Sequence, residues 1–298
     1  MNVMESFKWQ EIVRRGEALL ALADPIGIRR AGVAVSRCIP LFGLLLAGGC
    51  GTLSGGHGWG QDAIYPVQWE RIPKAAQRAL LDPVTWVSAG GAAVFAIDDF
   101  DEKVSHWAAD HTPVFGSQRG ARDASDVLVT VLQAEALGTG LLTPSGDDPL
   151  GWTFSKAKGI GVECLALYAT SGATDLIKDA TDRLRPDGSD HKSLPSGHAS
   201  AAFSGARLAN RNLDSLDLAP WVRTSLKTGN LMAASATAWA RVEGHKHYPS
   251  DVLIGACLGN FITTFIHDAF LNLPEDSRFD FYLEPSPRGL FGSVSWRF

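Results

Sequence analysis

The tetrapeptide Pro195-Ser196-Gly197-His198 opens a run of small residues, Ala199 to Ala209, and the interpretation of the whole chain starts there. Ser196 is a favourable N-cap residue, so the tetrapeptide predicts the first turn of a helix. The free amides and the dipole of such a turn favour a bound phosphate group. Gly197 removes a side chain where an anion would approach, and His198 is close enough to donate a proton. Alone, the tetrapeptide is also typical of a capped helix with an incidental histidine.

A second basic segment lies upstream, at Lys178 and at Arg185-Pro186. Lys178 falls late in a predicted helix over 156–183. The residue before a proline is pushed out of helical geometry, so Arg185 is expected at the helix exit, where a rigid turn aims its guanidinium. Alone, the segment is equally typical of a basic helix end that matches the macrodipole.

A third segment lies downstream, where Arg241 stands near the carboxyl end of a predicted helix over 219–243. Gly244 ends that helix, His247 follows in a loop, and Asp251 occupies the first turn of the next helix. Asp251 is therefore expected to accept a hydrogen bond from one ring nitrogen of His247. The other ring nitrogen is then left unprotonated, as a nucleophile requires.

The three segments, in this order, resemble the motifs of the type 2 phosphatidic acid phosphatase (PAP2) superfamily. That superfamily also holds bacterial acid phosphatases and vanadium haloperoxidases. Its first motif is a lysine, six residues and Arg-Pro, and its second is Pro-Ser-Gly-His, both intact in this chain. Its third is Ser-Arg, five residues, a histidine, three residues and an aspartate. This chain keeps that spacing from Arg241 to Asp251, with Ala240 in place of the serine.

The resemblance implies a phosphate cradle and a catalytic set. The cradle would comprise Lys178, Arg185, Ser196, the amide of Gly197, and Arg241. His247 would attack phosphorus and form a phosphohistidine, Asp251 would orient it, and His198 would protonate the leaving oxygen. No metal or other cofactor is implied, because the cations supply the neutralising charge.

The fold class expected from periodicity and resemblance is an all-α helical bundle of the PAP2/haloperoxidase type. Candidate helices lie near 73–81, 84–97, 101–109, 123–137, 156–183, 197–209, 219–243 and 251–270. A small C-terminal β-hairpin is expected beyond them, packed on the bundle. The expected divisions are a signal segment 1–50, a linker or wrapped arm 51–75, a helical domain 76–272 and a tail 273–298.

The amino-terminal segment is typical of an export signal. Arginines at 29, 30 and 37 precede an apolar run from Ile39, and Ala47-Gly-Gly-Cys50 resembles a bacterial lipobox. Lipidation at Cys50, plain secretion and a retained anchor are all compatible with this pattern. The expected location is therefore extracytoplasmic, in the periplasm or envelope. The uncharged runs 83–97 and 252–266, each about 15 residues, fall short of the ~20 that a spanning helix needs.

Composition narrows the possible partners. A net charge of −5 argues against a general nucleic-acid binder. Cys164 and Cys257 lie in apolar segments and are expected to be buried thiols. The acidic run Asp98-Asp99-Phe100-Asp101 is expected to be a solvated helix start. One alternative is a divalent-metal site formed by residues among Asp190, His191, Glu243, His245, His247 and Asp251. Such a site would not explain Lys178, Arg185 and Arg241, and the positive charges of these side chains would repel a metal ion.

These features favour a metal-independent phosphatase acting on phosphomonoesters or lipid phosphates through a phosphohistidine. Expected partners are a phosphorylated small molecule or lipid, with attachment to a membrane surface through Cys50. One alternative is a vanadate-dependent haloperoxidase on the same scaffold. The other is a non-catalytic envelope lipoprotein that binds phosphorylated lipid.

Overall fold

The part of the chain that the computed structural model describes contains eight helices followed by a two-stranded hairpin. That part covers residues 50–53, 55–64 and 68–271, together with the backbone of 279–286 and 289–296. The helices are α1 Arg71–Leu81, α2 Pro83–Phe95, α3 Phe100–His111, α4 Gln118–Leu142, α5 Pro149–Thr181, α6 Gly197–Asp214, α7 Pro220–Glu243 and α8 Pro249–Leu271. The all-α class expected from the sequence is confirmed.

Side-chain caps set where the helices begin. Ser117 accepts from the Gly120 amide and starts α4 five residues before the predicted start at 123. Asp148 accepts from the Gly151 amide, and Pro149 takes the first helical position of α5. Both caps lie upstream of the apolar periodicity, so the predicted starts of these two helices were too late. Ser196 caps α6 where the sequence predicted.

Helices α6 and α8 pack closely against each other, and two glycines make this contact possible. A Cβ on Gly255 would lie 2.6 Å from the Ser196 carbonyl oxygen, and one on Gly259 would lie 2.2 Å from that of Ser200. The two backbones therefore meet without intervening side chains. Because both contacts are near the amino-terminal half of each helix, the starts of α6 and α8 lie side by side.

The loops gather at two ends of the bundle. The end that holds the loops 112–117, 182–196 and 244–248 is called here the site pole. The Ser196 amide there donates to the Asp251 carbonyl (3.0 Å), and the loops are joined by further hydrogen bonds. The loops 143–148 and 215–219 lie at the other end, called the opposite pole. All three motifs therefore reach the same end of the molecule.

The segment preceding α1 packs at the opposite pole. Trp59 is completely buried, and its amide donates to the Pro144 carbonyl (2.7 Å). Gly51 and Gly146 exchange backbone hydrogen bonds, and the Ile64 amide donates to the last turn of α8. Cys50 is exposed beside this contact.

The carboxyl-terminal segment forms the expected hairpin. Strands β1 Phe279–Ser286 and β2 Gly289–Trp296 are antiparallel, with Phe279 paired to Trp296 and Ser286 to Gly289. The predicted packing of the hairpin on the bundle concerns side chains outside the described residues. Elsewhere, the prediction of buried thiols is wrong for Cys164, which is exposed on the outer face of α5.

Two of the helices in the described part of the chain are long and apolar enough to cross a membrane, as judged by length and composition alone. They are α4 and α8, and 28% and 56% of their apolar windows are buried within the bundle. The prediction that the run 83–97 falls short agrees with α2, which has 13 residues. It was wrong for the run 252–266, because α8 continues past Asp251 and Asp268 at its two ends. In α8 those charges are buried and paired: Asp251 with Arg183, and Asp268 with Arg211.

Candidate active site

His247 and Arg185 lie in direct contact at the centre of the site pole. The Arg185 Nη1 lies 2.9 Å from the His247 Nε2, and it also donates to the Lys246 carbonyl (3.1 Å). Arg185 Nε donates to Asp190 Oδ1 at 2.7 Å. A guanidinium can only donate, so Nε2 must be the unprotonated ring nitrogen. The histidine therefore directs a lone pair at a cation.

The contact of the other ring nitrogen, Nδ1, confirms this tautomer. Its hydrogen-bond partner, however, is not the predicted Asp251. His247 Nδ1 lies 2.7 Å from the Ser193 carbonyl oxygen, which can only accept, whereas Asp251 Oδ2 is 3.8 Å away. The prediction that Asp251 itself takes the ring hydrogen bond is therefore wrong in this geometry. The backbone carbonyl holds the proton on Nδ1, and Asp251 adds a nearby negative charge.

Asp251 faces donors other than the imidazole. Its carboxylate accepts from the Ser193 hydroxyl (2.5 Å), the Tyr248 amide (2.8 Å) and Arg183 Nη1 (2.6 Å). Ser193 thus links Asp251 to His247, since its hydroxyl binds the carboxylate and its carbonyl binds the ring. Asp251 positions the imidazole mainly through the 182–196 loop.

Arg183 is a site residue that the motifs did not single out. Its Nη2 donates to Asp101 Oδ2 (2.8 Å), and its guanidinium stacks on the Tyr248 ring at 4.2 Å. Asp101 also accepts from the Ser250 amide (2.8 Å) and is 6% exposed. The prediction of a solvated helix start is therefore wrong for Asp101, which ties α3 to the site. The only signal in the sequence was a second arginine two residues before Arg185.

The remaining cradle cations converge on the same place. Lys178 Nζ donates to the Lys192 carbonyl (3.0 Å), which anchors the 182–196 loop to α5. Arg241 Nη1 donates to the Ser125 hydroxyl (3.1 Å). Its Nε is buried and finds no partner among the described residues. A buried donor without an acceptor is costly, and an anion bound beside Arg241 would satisfy it.

Burial and like charge act on these groups together. Burial lowers the pKa of Arg241 to about 10. Burial and then the Arg185 charge lower the pKa of Lys178. Burial, with the charges of Arg185 and Arg241, lowers the pKa of His247 to about 4, although Asp251 opposes them. Cations held this close repel one another, and a bound dianion relieves that repulsion.

The helix start at the tetrapeptide lies beside Lys178. Ser196 is fully buried, and its hydroxyl accepts from the Ala199 amide (3.4 Å). A Cβ on Gly197 would make only ordinary contacts with Thr174 and Lys178, at 3.9 Å each. No protein atom therefore requires glycine there. Approach of an anion to the amide remains the reason proposed for it.

His198 has a partner that sequence reasoning missed. Its Nε2 lies 2.7 Å from Asp126 Oδ1 on α4. The two residues are 72 positions apart. His198 belongs to a motif on α6, whereas Asp126 lies on α4, which carries no motif, so no local sequence pattern links them. The structure thus brings together all eight predicted site residues and adds Arg183, Asp101 and Asp126 around them.

The site is closed in this arrangement. His247 is only 2% exposed because Arg185 covers its Nε2. A cavity of about 270 Å³ lies away from it, between α2, α6 and α7, lined by residues that include Val84, Phe203, Arg207 and Lys227. That cavity plays no part in the motif chemistry. A phosphate group must therefore displace Arg185 from the imidazole to reach it.

Glu243, one of the conceivable metal ligands, is already engaged. Its carboxylate accepts from the amides of Val114 (2.9 Å) and Phe115 (3.0 Å) and from the Trp239 indole (2.6 Å). These donors hold the 112–117 loop on the end of α7. Three hydrogen bonds give this buried carboxylate a structural role beside Arg241.

Part of the chain is similar to known proteins. Residues 161–274 match the family model described as PAP2 superfamily. The Lipid A 1-phosphatase of Porphyromonas gingivalis is 34% identical over 109 residues, which cover 37% of this chain and 23% of the relative. The chain thus matches about a quarter of that relative's length.

A solved structure is also similar. It is a transmembrane PAP2 type phosphatidylglycerolphosphate phosphatase from Bacillus subtilis, 17% identical, with a TM-score of 0.46 over 61% of this chain and 92% of that one. The resemblance to the PAP2 superfamily that the three motifs predicted is confirmed over the segment 161–274, which contains all of them.

Proposed function

We propose that this chain is a metal-independent phosphatase that hydrolyses phosphate monoesters through a phosphohistidine at His247. The observation that carries the proposal is the pair of contacts on the imidazole. Ser193 fixes the proton on Nδ1, and Arg185 donates to the lone pair of Nε2. A nucleophile held in this form beside a cation is suited to attack a phosphoryl group.

In the first step, the substrate phosphate takes over the donors of Arg185, Lys178 and Arg241. The lone pair of His247 Nε2 attacks phosphorus, and the bond to the ester oxygen breaks with its electron pair on that oxygen. His198 gives this oxygen its proton and becomes neutral. The cations stabilise the charge that spreads over the equatorial oxygens in the transition state.

In the second step, water attacks the phosphohistidine. Neutral His198 takes a proton from that water, the phosphorus–nitrogen bond breaks, and its electron pair returns to Nε2. Inorganic phosphate leaves, and His198 is again protonated for the next cycle. No group outside the chain, apart from water, is needed to balance the reaction.

Lipid phosphates are the proposed substrate class. A relative of the central segment carries the name Lipid A 1-phosphatase. Apolar side chains close in sequence to site residues are exposed: Val127 after Asp126, Leu176 before Lys178, and Leu184 before Arg185. Acyl chains would cover these side chains while the phosphate occupies the cradle.

Association with a membrane is proposed on a wider set of exposed side chains. Large aromatic residues are more than half exposed at Trp69, Trp86, Tyr168 and Trp221, and α4 and α8 have the length and composition of spanning helices. Aromatic rings of this kind favour the membrane interface. We further propose an extracytoplasmic site, with 1–50 as the signal segment and 273–298 as the tail. The division between arm and helical domain, expected at 75/76, falls earlier, because α1 begins at Arg71 and packs on α8.

A substrate panel in the presence of EDTA tests the activity, the metal independence and the substrate class together. Purified full-length protein in detergent should release phosphate from short-chain phosphatidic acid at a rate that EDTA leaves unchanged. Rates with nucleotide or sugar phosphates should be lower. Loss of activity in EDTA would contradict metal independence. Bromide oxidation with vanadate and peroxide, without phosphate release, would support the haloperoxidase instead, and inactivity on all substrates would support a binding protein.

The pH dependence of kcat/KM follows from the two histidines. His247 must be neutral to attack, and its pKa is lowered to about 4, so activity should rise as the pH passes that value. His198 must be protonated to act, and burial lowers its pKa below the usual 6.5, so activity should fall as the pH rises through it. A pH profile on phosphatidic acid should therefore peak between about 4 and 6.5. A maximum above neutral pH would contradict these roles.

A further inference from the structure

We propose that Asp126 is the positioning residue that aims His198 at the leaving oxygen and holds it in its proton-bearing form. The inference rests on the proposed phosphatase function and adds a residue outside the three motifs. It starts from the contact between Asp126 Oδ1 on α4 and His198 Nε2 on α6, at 2.7 Å.

The contact constrains the ring from a different helix. His198 lies in the first turn of α6, whereas Asp126 lies in the third turn of α4, and these two helices pack along their lengths. A carboxylate can only accept, so Nε2 carries a hydrogen. A protonated ring then has one further N–H, on Nδ1, and this is the proton that remains for the leaving oxygen.

The surroundings of His198 act against its protonated form. Burial and the charges of Arg241 and Lys178 disfavour its protonated form, and Asp126 is the group that opposes them. The charge of Asp126 also favours the protonated form of Arg241, whose pKa burial lowers. The cations required to hold phosphate would otherwise strip the acid of its proton. Asp126 therefore allows one site to hold both the cations that bind phosphate and a histidine that must carry a proton.

The effect should depend on the leaving group. An alkyl oxygen leaves as a strong base and needs the proton as its bond to phosphorus breaks. A p-nitrophenolate leaves with little need of a proton. Loss of the Asp126 charge should therefore slow the cleavage of alkyl phosphates and spare that of p-nitrophenyl phosphate.

The test compares Asp126→Asn with Asp123→Asn in the full-length protein. Asp123 lies one turn earlier on α4, is exposed, and pairs only weakly with Arg119 (4.0 Å). Values of kcat/KM are measured for dioctanoyl phosphatidic acid and for p-nitrophenyl phosphate across the pH range. For Asp126→Asn we expect a fall of about tenfold on the lipid, less than about twofold on the aryl ester, and an alkaline limb moved to lower pH. Asp123→Asn should match the wild type, and Asp126→Glu should recover part of the lipid rate.

The possible outcomes distinguish a failure of the proposed Asp126 role from a failure of the proposed phosphatase function. If the wild type is active and Asp126→Asn behaves as Asp123→Asn on both substrates, the positioning role is wrong and the phosphatase stands. An equal loss on both substrates with no shift of the pH limb means that Asp126 has a purely structural role, and it also overturns the inference. A wild type without activity on either ester overturns the proposed function itself.

Discussion

Replacement of His247 by alanine should abolish turnover of every phosphate ester. The imidazole supplies the bond-forming nitrogen, and Arg185 already donates to that nitrogen at 2.9 Å. Without it, water would have to attack the phosphate directly in a cradle arranged for another nucleophile. Loss of a nucleophile of this kind costs on the order of 10⁴-fold or more in kcat. Phosphate release from phosphatidic acid measures the loss.

The matched control is His191→Ala. His191 lies in the same 182–196 loop and is exposed, with one ring nitrogen near the Asp182 carbonyl (3.1 Å). It should retain near-normal activity. Brief incubation with a ³²P-labelled ester, stopped in alkali because phosphohistidine is acid-labile, should label the wild type and His191→Ala but not His247→Ala. A labelled or active His247→Ala variant would show that another group is the nucleophile.

Replacement of Arg183 by methionine should impair both folding and catalysis. Arg183 is the cation shared by two carboxylates, Asp101 on α3 and Asp251 on α8, both almost fully buried. Removing one partner of a buried pair costs about 3–5 kcal/mol, and partial exposure of the guanidinium reduces the expected loss to roughly 2–3 kcal/mol. Asp251 would also lose the contact that keeps its charge in place, so kcat should fall at least about tenfold. Urea unfolding and phosphate release measure the two effects.

Two variants separate the catalytic loss from the loss of stability. Arg211→Met removes a comparable ion pair with Asp268 near the opposite pole. It should destabilise the protein by a similar amount and leave kcat of the folded enzyme unchanged. Arg183→Lys keeps the charge but lacks the planar guanidinium whose two Nη atoms reach Asp101 and Asp251 separately, so it should be intermediate. An Arg183→Met variant with wild-type kcat would limit Arg183 to a structural role.

The sequence was informative wherever the chemistry is local. The spacing of Lys178 from Arg185, and of Arg241 from His247, is set by helix ends, and helix ends can be located from caps and breakers. The small residues of α6, together with Gly255 and Gly259 of α8, allow the close packing that places the tetrapeptide beside Asp251. For these reasons the helical class and the convergence of the motif residues could be foreseen.

The residues that were missed act across long separations. Asp101 reaches Arg183 over 82 positions, and Asp126 reaches His198 over 72. Each is one acidic residue among several at a helix start or on a helix face, and only packing selects it. The partner of the His247 ring was missed for a related reason. It is a backbone carbonyl, which any residue at 193 would provide, and no side-chain pattern reports it.

The contact of Gly51 with Gly146 has a consequence for how the molecule could be tethered. From Pro149 to Lys178, α5 rises through 29 residues, which at 1.5 Å each is about 44 Å. An acyl chain on Cys50 would attach the protein to a membrane at the opposite pole, which is the end farthest from the proposed active site. If α4 and α8 cross the bilayer instead, residue 50 and the phosphate site face opposite leaflets. In either case, the lipid headgroup that loses its phosphate lies at a different membrane surface from the one beside residue 50.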